Sequence, residues 1–488
     1  MKVTFIYPDY FETQDVHVES QGRVYLGICY LSSFLKSGGH DVELIHLVRP
    51  IERDELIETV RRTAPDLVAF SATTMQFPKV RDISSWVKQE FDLPTICGGV
   101  HPTISPESAL EHPGIDYICV GEGEEAFLEF CDALEKGEPL EEIPNIWGKA
   151  EGRIFKNEVR PLVEDLDTLP FPDRSIFDPV NFAPNQRQRL SMLASRGCPF
   201  NCSYCCNHLQ KSIYPNSDKY VRFRSPENVI EEIEAVLSAS DGIKQVRFDD
   251  DILTLDRAWF REFAALYEAR VGLPFICNAR VDLLNDEMVG SLKQAGCSAI
   301  AMGVESGNYK LRKEVLLRNM KDEKILKAFS MCHQHGIPTV SLNMVGFPHE
   351  TLDMALDTVK MNSAIGPGMS QVTAVCPFPN TRLYQVCKEE GMLDESGGDA
   401  FDTLFSGKSE LKLDKMSRAQ VNMICENFVL LIVMYRRLQG LPRPLSPVAV
   451  KGLDLFLKTR LIPNKTRDNI LKRWRCRLDW KYFIGVDY

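Results

Sequence analysis

Arg196-Gly-Cys198-Pro-Phe-Asn-Cys202-Ser-Tyr-Cys205 sets three cysteines at spacing C-x3-C-x2-C, directly after the apolar segment Leu190 to Ala194. Thiolates are soft ligands that suit iron–sulfur clusters and zinc. The number three is the informative part. A closed zinc site or an ordinary electron-carrying 4Fe–4S cluster takes four protein ligands. Three nearby thiolates leave one metal position open for a small molecule, and Tyr204 can shield a cluster with its ring. A zinc knuckle completed by His208 or Cys206 is the other reading of this spacing.

The stretch resembles the motif of the radical S-adenosylmethionine (SAM) enzymes. The resemblance implies a 4Fe–4S cluster on Cys198, Cys202 and Cys205, with SAM chelating the open iron through its amino and carboxylate groups. It further implies that one electron from the cluster cleaves SAM to a 5′-deoxyadenosyl radical, which takes a hydrogen atom from an unactivated carbon. An electron donor such as flavodoxin or ferredoxin is implied with it.

Length and composition fit such an enzyme. A chain of 488 residues predicts about three domains. Its hydrophobic content of 44% and charged content of 26% describe a globular protein with ample core. The fifteen cysteines are scattered and odd in number, which argues against a disulfide framework. Met1-Lys-Val-Thr-Phe-Ile-Tyr-Pro reads as a first strand and not as a targeting sequence, so a reducing cytoplasm is expected. The longest apolar run, Phe428 to Tyr435, falls far short of a membrane span. A net charge of −11 argues against general nucleic-acid binding.

Residues 1 to about 140 alternate strand and helix patterns, which predicts a Rossmann-like parallel sheet with helices on both faces. Ligands of such sheets bind at the carboxyl ends of the strands. The third strand ends in Ser71-Ala72-Thr73-Thr74, the fourth in Gly98-Gly99-Val100-His101-Pro102-Thr103, and the next in Gly121-Glu122-Gly123-Glu124. This set resembles the cobalamin-binding (B12-binding) domains that precede the barrel in one large radical SAM class. The resemblance implies that Ser71, Thr73, Gly98, Gly99, His101 and Glu122 line the cobalamin groove. Anchoring the comparison on Gly27 places Val24 where other cobalamin domains carry a cobalt-ligating histidine. Asp15-Val16-His17 is out of register, and Ser20 stands at the glycine position, so no histidine ligand is expected from this loop. A degenerate domain that only packs against the barrel is the alternative.

Prolines crowd residues 141–190, including Leu169-Pro-Phe-Pro-Asp173-Arg174, which predicts a rigid connector. From 191 to 395 six strand–helix units follow, matching the partial (β/α)6 barrel of radical SAM enzymes, whose chemistry sits at the strand carboxyl ends. Those ends carry Arg247-Phe-Asp249-Asp250-Asp251, Asn278-Ala-Arg280, Gly303-Val-Glu305-Ser306-Gly307, Asn343-Met-Val-Gly346-Phe-Pro348-His-Glu350 and Cys376-Pro-Phe-Pro379. A carboxylate suits the SAM ammonium, and Asp249 and Asp250 are equal candidates. Arg280 suits the SAM carboxylate or ribose. By resemblance, Glu305 and Ser306 lie near SAM. Asn343 belongs to the same set of strand-end candidates. Cys376 stands where a substrate pocket is expected, either as a hydrogen-atom donor or as a buried inert thiol. Cys206 is read as a bystander.

Residues 396–488 read as helical. From Lys451 to Lys481 ten Lys and Arg face three Asp, interleaved with Trp474, Trp480, Tyr482 and Phe483. This reversal of charge suits an anionic membrane surface, and hence peripheral attachment and a lipid substrate, or a small anionic one. A solvated helix packed on the barrel is the alternative. The whole resembles the cobalamin-dependent radical SAM enzymes, whose best-populated activity is methylation of an unreactive carbon or phosphorus. Ring formation, contraction or oxidation on the same cofactors is the rival activity. A non-catalytic iron–sulfur or zinc protein is the rival class.

Overall fold

The structure is a computed structural model and describes residues 1–10, 22–150, 152–184, 186–393, 409–459 and 464–475. Asp15, His17 and Ser20 lie outside the described residues, as do Trp480, Tyr482 and Phe483. The chain forms two compact bodies. One comprises residues 1–201, 205–250 and 378–381, and the other residues 202–204, 251–377 and 382–488.

The first body opens with a sheet of β1 (Lys2–Pro8), β2 (Asp41–Leu47), β3 (Leu67–Ser71), β4 (Thr95–Gly98), β5 (Tyr117–Cys119), β6 (Ile146–Ala150) and β7 (Arg153–Lys156). Their spatial order is β2-β1-β3-β4-β5-β6-β7. The first five are parallel, as their separation by helices requires. Successive residues of β1 serve opposite faces. Phe5 and Tyr7 pack with Phe127 and Phe130, while Ile6 packs with Val68 and Phe70. Both faces are therefore apolar, and the strands read as continuous hydrophobic runs.

The antiparallel strands β6 and β7 extend this sheet beyond residue 140, into the stretch read as connector. Their sequence hides them, because Gly148 interrupts a five-residue strand and the surrounding prolines signal an extended linker. The proline-rich segment that follows is tied down by three short 3-10 turns. Asp165, Asp173 and Asp178 each cap one through a side-chain oxygen.

Further along the first body run β8 (Arg189–Met192), β9 (Ser195–Arg196), β10 (Arg222–Phe223) and β11 (Gln245–Phe248). Strands β8 and β11 pair in parallel, and β9 and β10 form a short antiparallel ladder. Two adjacent connector residues hold different neighbours. Asp173 accepts from Ser32 Oγ and Lys36 Nζ, each at 2.7 Å, on the helix Leu26–Ser37. Arg174 donates to Ser191 O at 2.9 Å and to Glu232 Oε1 at 2.5 Å. Glu232, on the helix Pro226–Ala239, is almost fully buried and also pairs with Arg224.

In the second body β12 (Phe275–Ala279), β13 (Cys297–Glu305), β14 (Thr339–Val345) and β15 (Met369–Ala374) pair in parallel in that order. The six strands expected for the barrel are thus present, two in the first body and four in the second. The helix Arg418–Gln439 buries Val421, Ile424, Phe428 and Leu431 in one core with Leu356 and Val359 of the helix Leu352–Ile365. The helices Leu445–Lys458 and Asn464–Arg475 follow. Among the described residues no helix is long and apolar enough to cross a membrane.

Removing Glu232 leaves the buried Arg224 and the partly buried Arg174 without their counter-charge. Glu232→Ala is therefore expected to destabilise the chain by about 3–5 kcal/mol in denaturant unfolding. A loss below about 1 kcal/mol would show that water or a neighbour replaces the carboxylate.

Candidate functional site: strand ends and a three-cysteine loop

The order 2-1-3-4-5 places a topological switch at β1 and β3, and ligands of open α/β sheets bind in the crevice at such a point. Asp9 follows β1 and is buried. Its Oδ2 accepts from Gly22 N at 3.1 Å, Arg23 N at 3.2 Å and His46 Nε2 at 3.2 Å. Beyond β3, Thr73 donates through N and Oγ1 to Gln76 Oε1 at 3.0 and 2.9 Å, and Gln76 Nε2 reaches Pro8 O at 3.0 Å. Ser71 is buried beside the Tyr25 hydroxyl.

Gly99 has φ +97°, and a Cβ there would lie 2.8 Å from Ala72 O and 3.1 Å from Ser71 Oγ. Its lack of a side chain thus serves contact between the ends of β3 and β4. At Gly98 a Cβ would meet only Cys119 at 3.8 Å, so Gly98 is the more open of the pair. His101 stacks on Phe77 with centroids 4.0 Å apart, and its Nδ1 lies 3.3 Å from Thr74 Oγ1. Its Nε2 is buried without a hydrogen-bond partner among the described residues. Burial, aided by Arg81, pushes its pKa down to about 4, so the ring is neutral at neutral pH.

Glu122 is committed elsewhere. Arg222 donates to Oε1 at 2.7 Å and to Oε2 at 3.0 Å, and Arg196 donates to Oε1 at 3.1 Å. Arg196 also holds Glu124 at 2.6 Å and lies over the Tyr30 ring. Burial alone would raise the Glu122 pKa, but Arg222 and Arg196 hold it below the usual carboxylate range. The paired carboxylates thus brace the residue that leads into the cysteine loop. At Gly197, φ is +87° and a Cβ would lie 2.2 Å from Tyr220 O, so the loop passes too close for any other residue.

The two aspartates after β11 part company. Asp250 is buried and accepts from Ala194 N at 3.1 Å and from the Ser195 hydroxyl. Burial raises its pKa to about 6, with those donors opposing. Asp249 is half-buried, with Oδ1 at 2.7 Å from Arg247 Nε. Past the loop, Asn207 Nδ2 lies 3.5 Å from Cys205 Sγ, and Tyr220 Oη lies 2.9 Å from Asn207 Oδ1. Cys206 accepts from Gln210 Nε2 at 3.2 Å.

In the second body Cys202 Sγ receives Arg280 Nη1 at 3.8 Å and Arg318 Nη1 at 3.9 Å. Arg318 also donates to Tyr204 Oη at 3.2 Å and to Gly303 O at 2.8 Å, and lies 3.9 Å from Glu305 Oε1. Burial works against its charge, yet Tyr204, Glu305 and Cys202 raise its pKa further. Strand β13 bulges between Gly303 and Glu305, and Glu305 takes φ +61°. Such strain in a residue with a long side chain is characteristic of functional sites. Burial raises the Glu305 pKa, with Arg318 and Tyr204 opposing. Tyr204 packs beside Leu311, Leu316 and Phe347. Ser306 is buried, and its Oγ accepts from Asn308 N at 3.2 Å.

Asn343 turns to the helix that follows its strand, accepting from Asn362 Nδ2 at 2.7 Å and donating to Gln371 O at 2.9 Å. Cys376 is half-exposed as a residue, but burial of its thiol pushes the pKa up to about 12, so it is protonated. Among the described residues no three acidic, histidine or cysteine side chains converge as tightly as a single metal ion requires. A cluster held at its corners does not require that.

The radical SAM superfamily profile matches residues 192–361, and the B12-binding domain profile matches residues 24–131. An uncharacterised methyltransferase of Pyrococcus horikoshii is 28% identical over 75% of this chain and 79% of its own. The anaerobic magnesium-protoporphyrin IX monomethyl ester cyclase of Rubrivivax gelatinosus is 28% identical over 79% of this chain and 70% of its own. The radical SAM methyltransferase TsrM of Kitasatospora setae, solved with cobalamin and a 4Fe–4S cluster, shares the fold. Its TM-score is 0.64 at 18% identity over 80% of this chain and 75% of TsrM. The two domain matches and these relatives together support the family of cobalamin-dependent radical SAM enzymes.

The donor set fits the cluster of this family. A thiolate accepts hydrogen bonds and attracts cations, and amide or guanidinium N–H groups stand at the sulfurs of Cys202 and Cys205. Sequence reasoning reached Arg280 but missed Arg318 and Asn207, whose roles no local motif announces. It also left open the role of Glu350 in the loop after β14 of this radical SAM barrel. Glu350 is fully buried and caps the loop, accepting from Gly346 N at 2.5 Å and Phe347 N at 3.0 Å.

Burial raises the Glu350 pKa to about 7 from the ordinary 4.5, with the two N–H donors opposing. Between those values the folded chain keeps a proton that the unfolded chain has shed, so stability falls as pH rises through the window. Gln cannot ionise. Glu350→Gln should therefore gain on the parent by about 3 kcal/mol between pH 4.5 and 7, and no more above it. Urea midpoints at pH 5 and pH 8 check this. An equal difference at both would mean that Glu350 does not titrate there.

Proposed function

We propose that this chain is a cobalamin-dependent methyltransferase that acts on an unactivated carbon of a small apolar or lipid-like molecule. The carrying observation is the three-cysteine loop with N–H donors at the Cys202 and Cys205 sulfurs, in a chain that also has the doubly wound B12-binding sheet. Cys198, Cys202 and Cys205 hold the 4Fe–4S cluster. Ser71, Thr73, Gly98 and His101 line the cobalamin groove at the carboxyl ends of β3 and β4. Gly99 shapes that groove through its contact with Ala72, and Glu122 braces Arg196. When bound, the cluster and SAM supply radical chemistry and cobalamin carries the methyl group.

The chain's own residues bind, orient and exclude water. Asp249 offers a carboxylate to the SAM ammonium, while Asp250 positions the segment before the cysteine loop. Glu305, on backbone fixed by the bulge, offers an anion and Arg280, its side chain held by Asp282 at 2.7 Å from Nε, offers a cation to the polar end of SAM. Ser306 fixes the turn that follows Glu305 by accepting from Asn308 N. Tyr204 and Arg318 shield Cys202. Asn343 stiffens β14 against its helix. Cys376, protonated and close to the end of β15, is a hydrogen-atom donor or a wall of the substrate pocket. Flavodoxin or ferredoxin delivers the electron.

The kinship with a cyclase keeps ring formation as the second reading. Labelled methyl-SAM separates the two. Methyl transfer predicts a product carrying the label, with 5′-deoxyadenosine formed alongside under anaerobic reduction. After reconstitution with hydroxocobalamin, about four irons and one cobalt per chain are expected. Iron without cobalt would exclude methyl transfer through a corrinoid.

A lipid-like substrate gains support from the helix Leu445–Lys458. It buries Leu453 and Leu457, while Leu445, Val448 and Leu455 on another side are 60%, 70% and 69% exposed. Exposed Arg443 and Lys451 accompany this stripe. An apolar stripe flanked by cations suits the surface of an anionic bilayer. The chain should co-sediment with phosphatidylglycerol vesicles, and Leu445→Ser with Val448→Ser should weaken that at least threefold. Recovery in the supernatant with every vesicle would remove the membrane reading and leave a soluble apolar substrate.

A further inference from the structure

A buried amide side chain costs free energy unless both of its ends are satisfied. Asn207 is 9% exposed and stands two residues beyond the last cysteine of the loop. Its Nδ2 lies 3.5 Å from Cys205 Sγ and its Oδ1 lies 2.9 Å from Tyr220 Oη. We infer that Asn207, oriented by Tyr220, donates a hydrogen bond to the Cys205 thiolate of the bound cluster and raises its reduction potential. This rests on the cluster assignment made above.

The orientation follows from chemistry. A cluster thiolate only accepts, so the atom that faces it must be the amide nitrogen. The oxygen then points away, where the Tyr220 hydroxyl donates to it. Tyr220 is itself held from two sides. Its carbonyl sits against Gly197, where a Cβ would come within 2.2 Å, and its ring packs beside Tyr214 and Leu162. Tyr214 is anchored in turn, its hydroxyl accepting from Glu122 N at 2.8 Å. The donor is therefore preorganised and cannot turn away from the sulfur without losing its own acceptor's partner.

The direction of the effect is fixed by charge. Reduction adds an electron whose density spreads onto the sulfurs, and an N–H dipole aimed at sulfur stabilises the reduced form more than the oxidised one. Burial of Asn207 strengthens the interaction because little water competes for its amide. Asn207 is thus a positioning and tuning residue, not a ligand. Its removal should make the cluster harder to reduce without removing the iron.

The experiment compares the full-length parent with Tyr220→Phe and Asn207→Leu, all reconstituted anaerobically, by iron analysis and a redox titration followed by electron paramagnetic resonance. Tyr220→Phe keeps every atom but the hydroxyl that orients the amide. The expected result is unchanged iron in Tyr220→Phe with a lower midpoint. The reduced-to-oxidised ratio at a fixed potential should fall roughly tenfold, equivalent to about 59 mV for a one-electron couple. Asn207→Leu should fall at least as far. Equal midpoints with iron intact overturn the inference, and so does loss of iron from Tyr220→Phe, which assigns the pair to packing alone. A parent chain that forms no four-iron signal removes the cluster assignment itself, a different result from an intact cluster with an unmoved potential.

Discussion

Arg196 is the interaction on which the cysteine loop depends. Its guanidinium is shared by Glu122 and Glu124 and lies over the Tyr30 ring, two residues before Cys198. A partly buried cation held by two carboxylates tolerates little movement, because displacement separates the charges. The backbone that follows is confined by Gly197 against Tyr220. Charge on one side and steric exclusion on the other fix the entry of the loop before any metal is considered. The carboxylates that do this come from the loop after β5, so the B12-binding sheet supplies the anchor for a segment of the barrel.

In the second body the same principle operates with strain added. The bulge at Gly303 and the left-handed backbone of Glu305 turn a carboxylate back toward Arg318. Such a conformation persists only when its surroundings over-determine it. Here the Gly303 carbonyl and the Tyr204 hydroxyl both accept from Arg318. The cost in backbone energy is offset by a prearranged pair of opposite charges.

Much of this was legible in the sequence because it is local. The C-x3-C-x2-C spacing, the five parallel strands of the first sheet and the six strand–helix units of the barrel each announce themselves within a dozen residues. What escaped was long-range or inverted in direction. Glu122 read as a groove residue because it follows a strand, yet its partners Arg196 and Arg222 lie 74 and 100 residues away. Arg318 meets Cys202 across 116 residues and belongs to no motif. Asn343 sits at the expected strand but is turned to the neighbouring helix, a choice of face that one asparagine in an apolar strand does not reveal. Asp249 and Asp250 were indistinguishable until burial separated them. Strands β6 and β7 were hidden by glycine and by the prolines around them.

The connector has a consequence for how such chains can change over time. Asp173 and Arg174 are neighbours, but one is recognised by Ser32 and Lys36 and the other by Ser191 and Glu232. Each residue is read by a different part of the first body, and no slack separates them. A chimaera that takes its corrinoid domain from one relative and its barrel from another must carry both sets of partners across the junction, or one of the two charges loses its counterpart. Insertions are similarly barred between these positions and are tolerated only outside them. In this chain the corrinoid domain and the start of the barrel are therefore joined as a unit, whatever substrate the rest of the barrel serves.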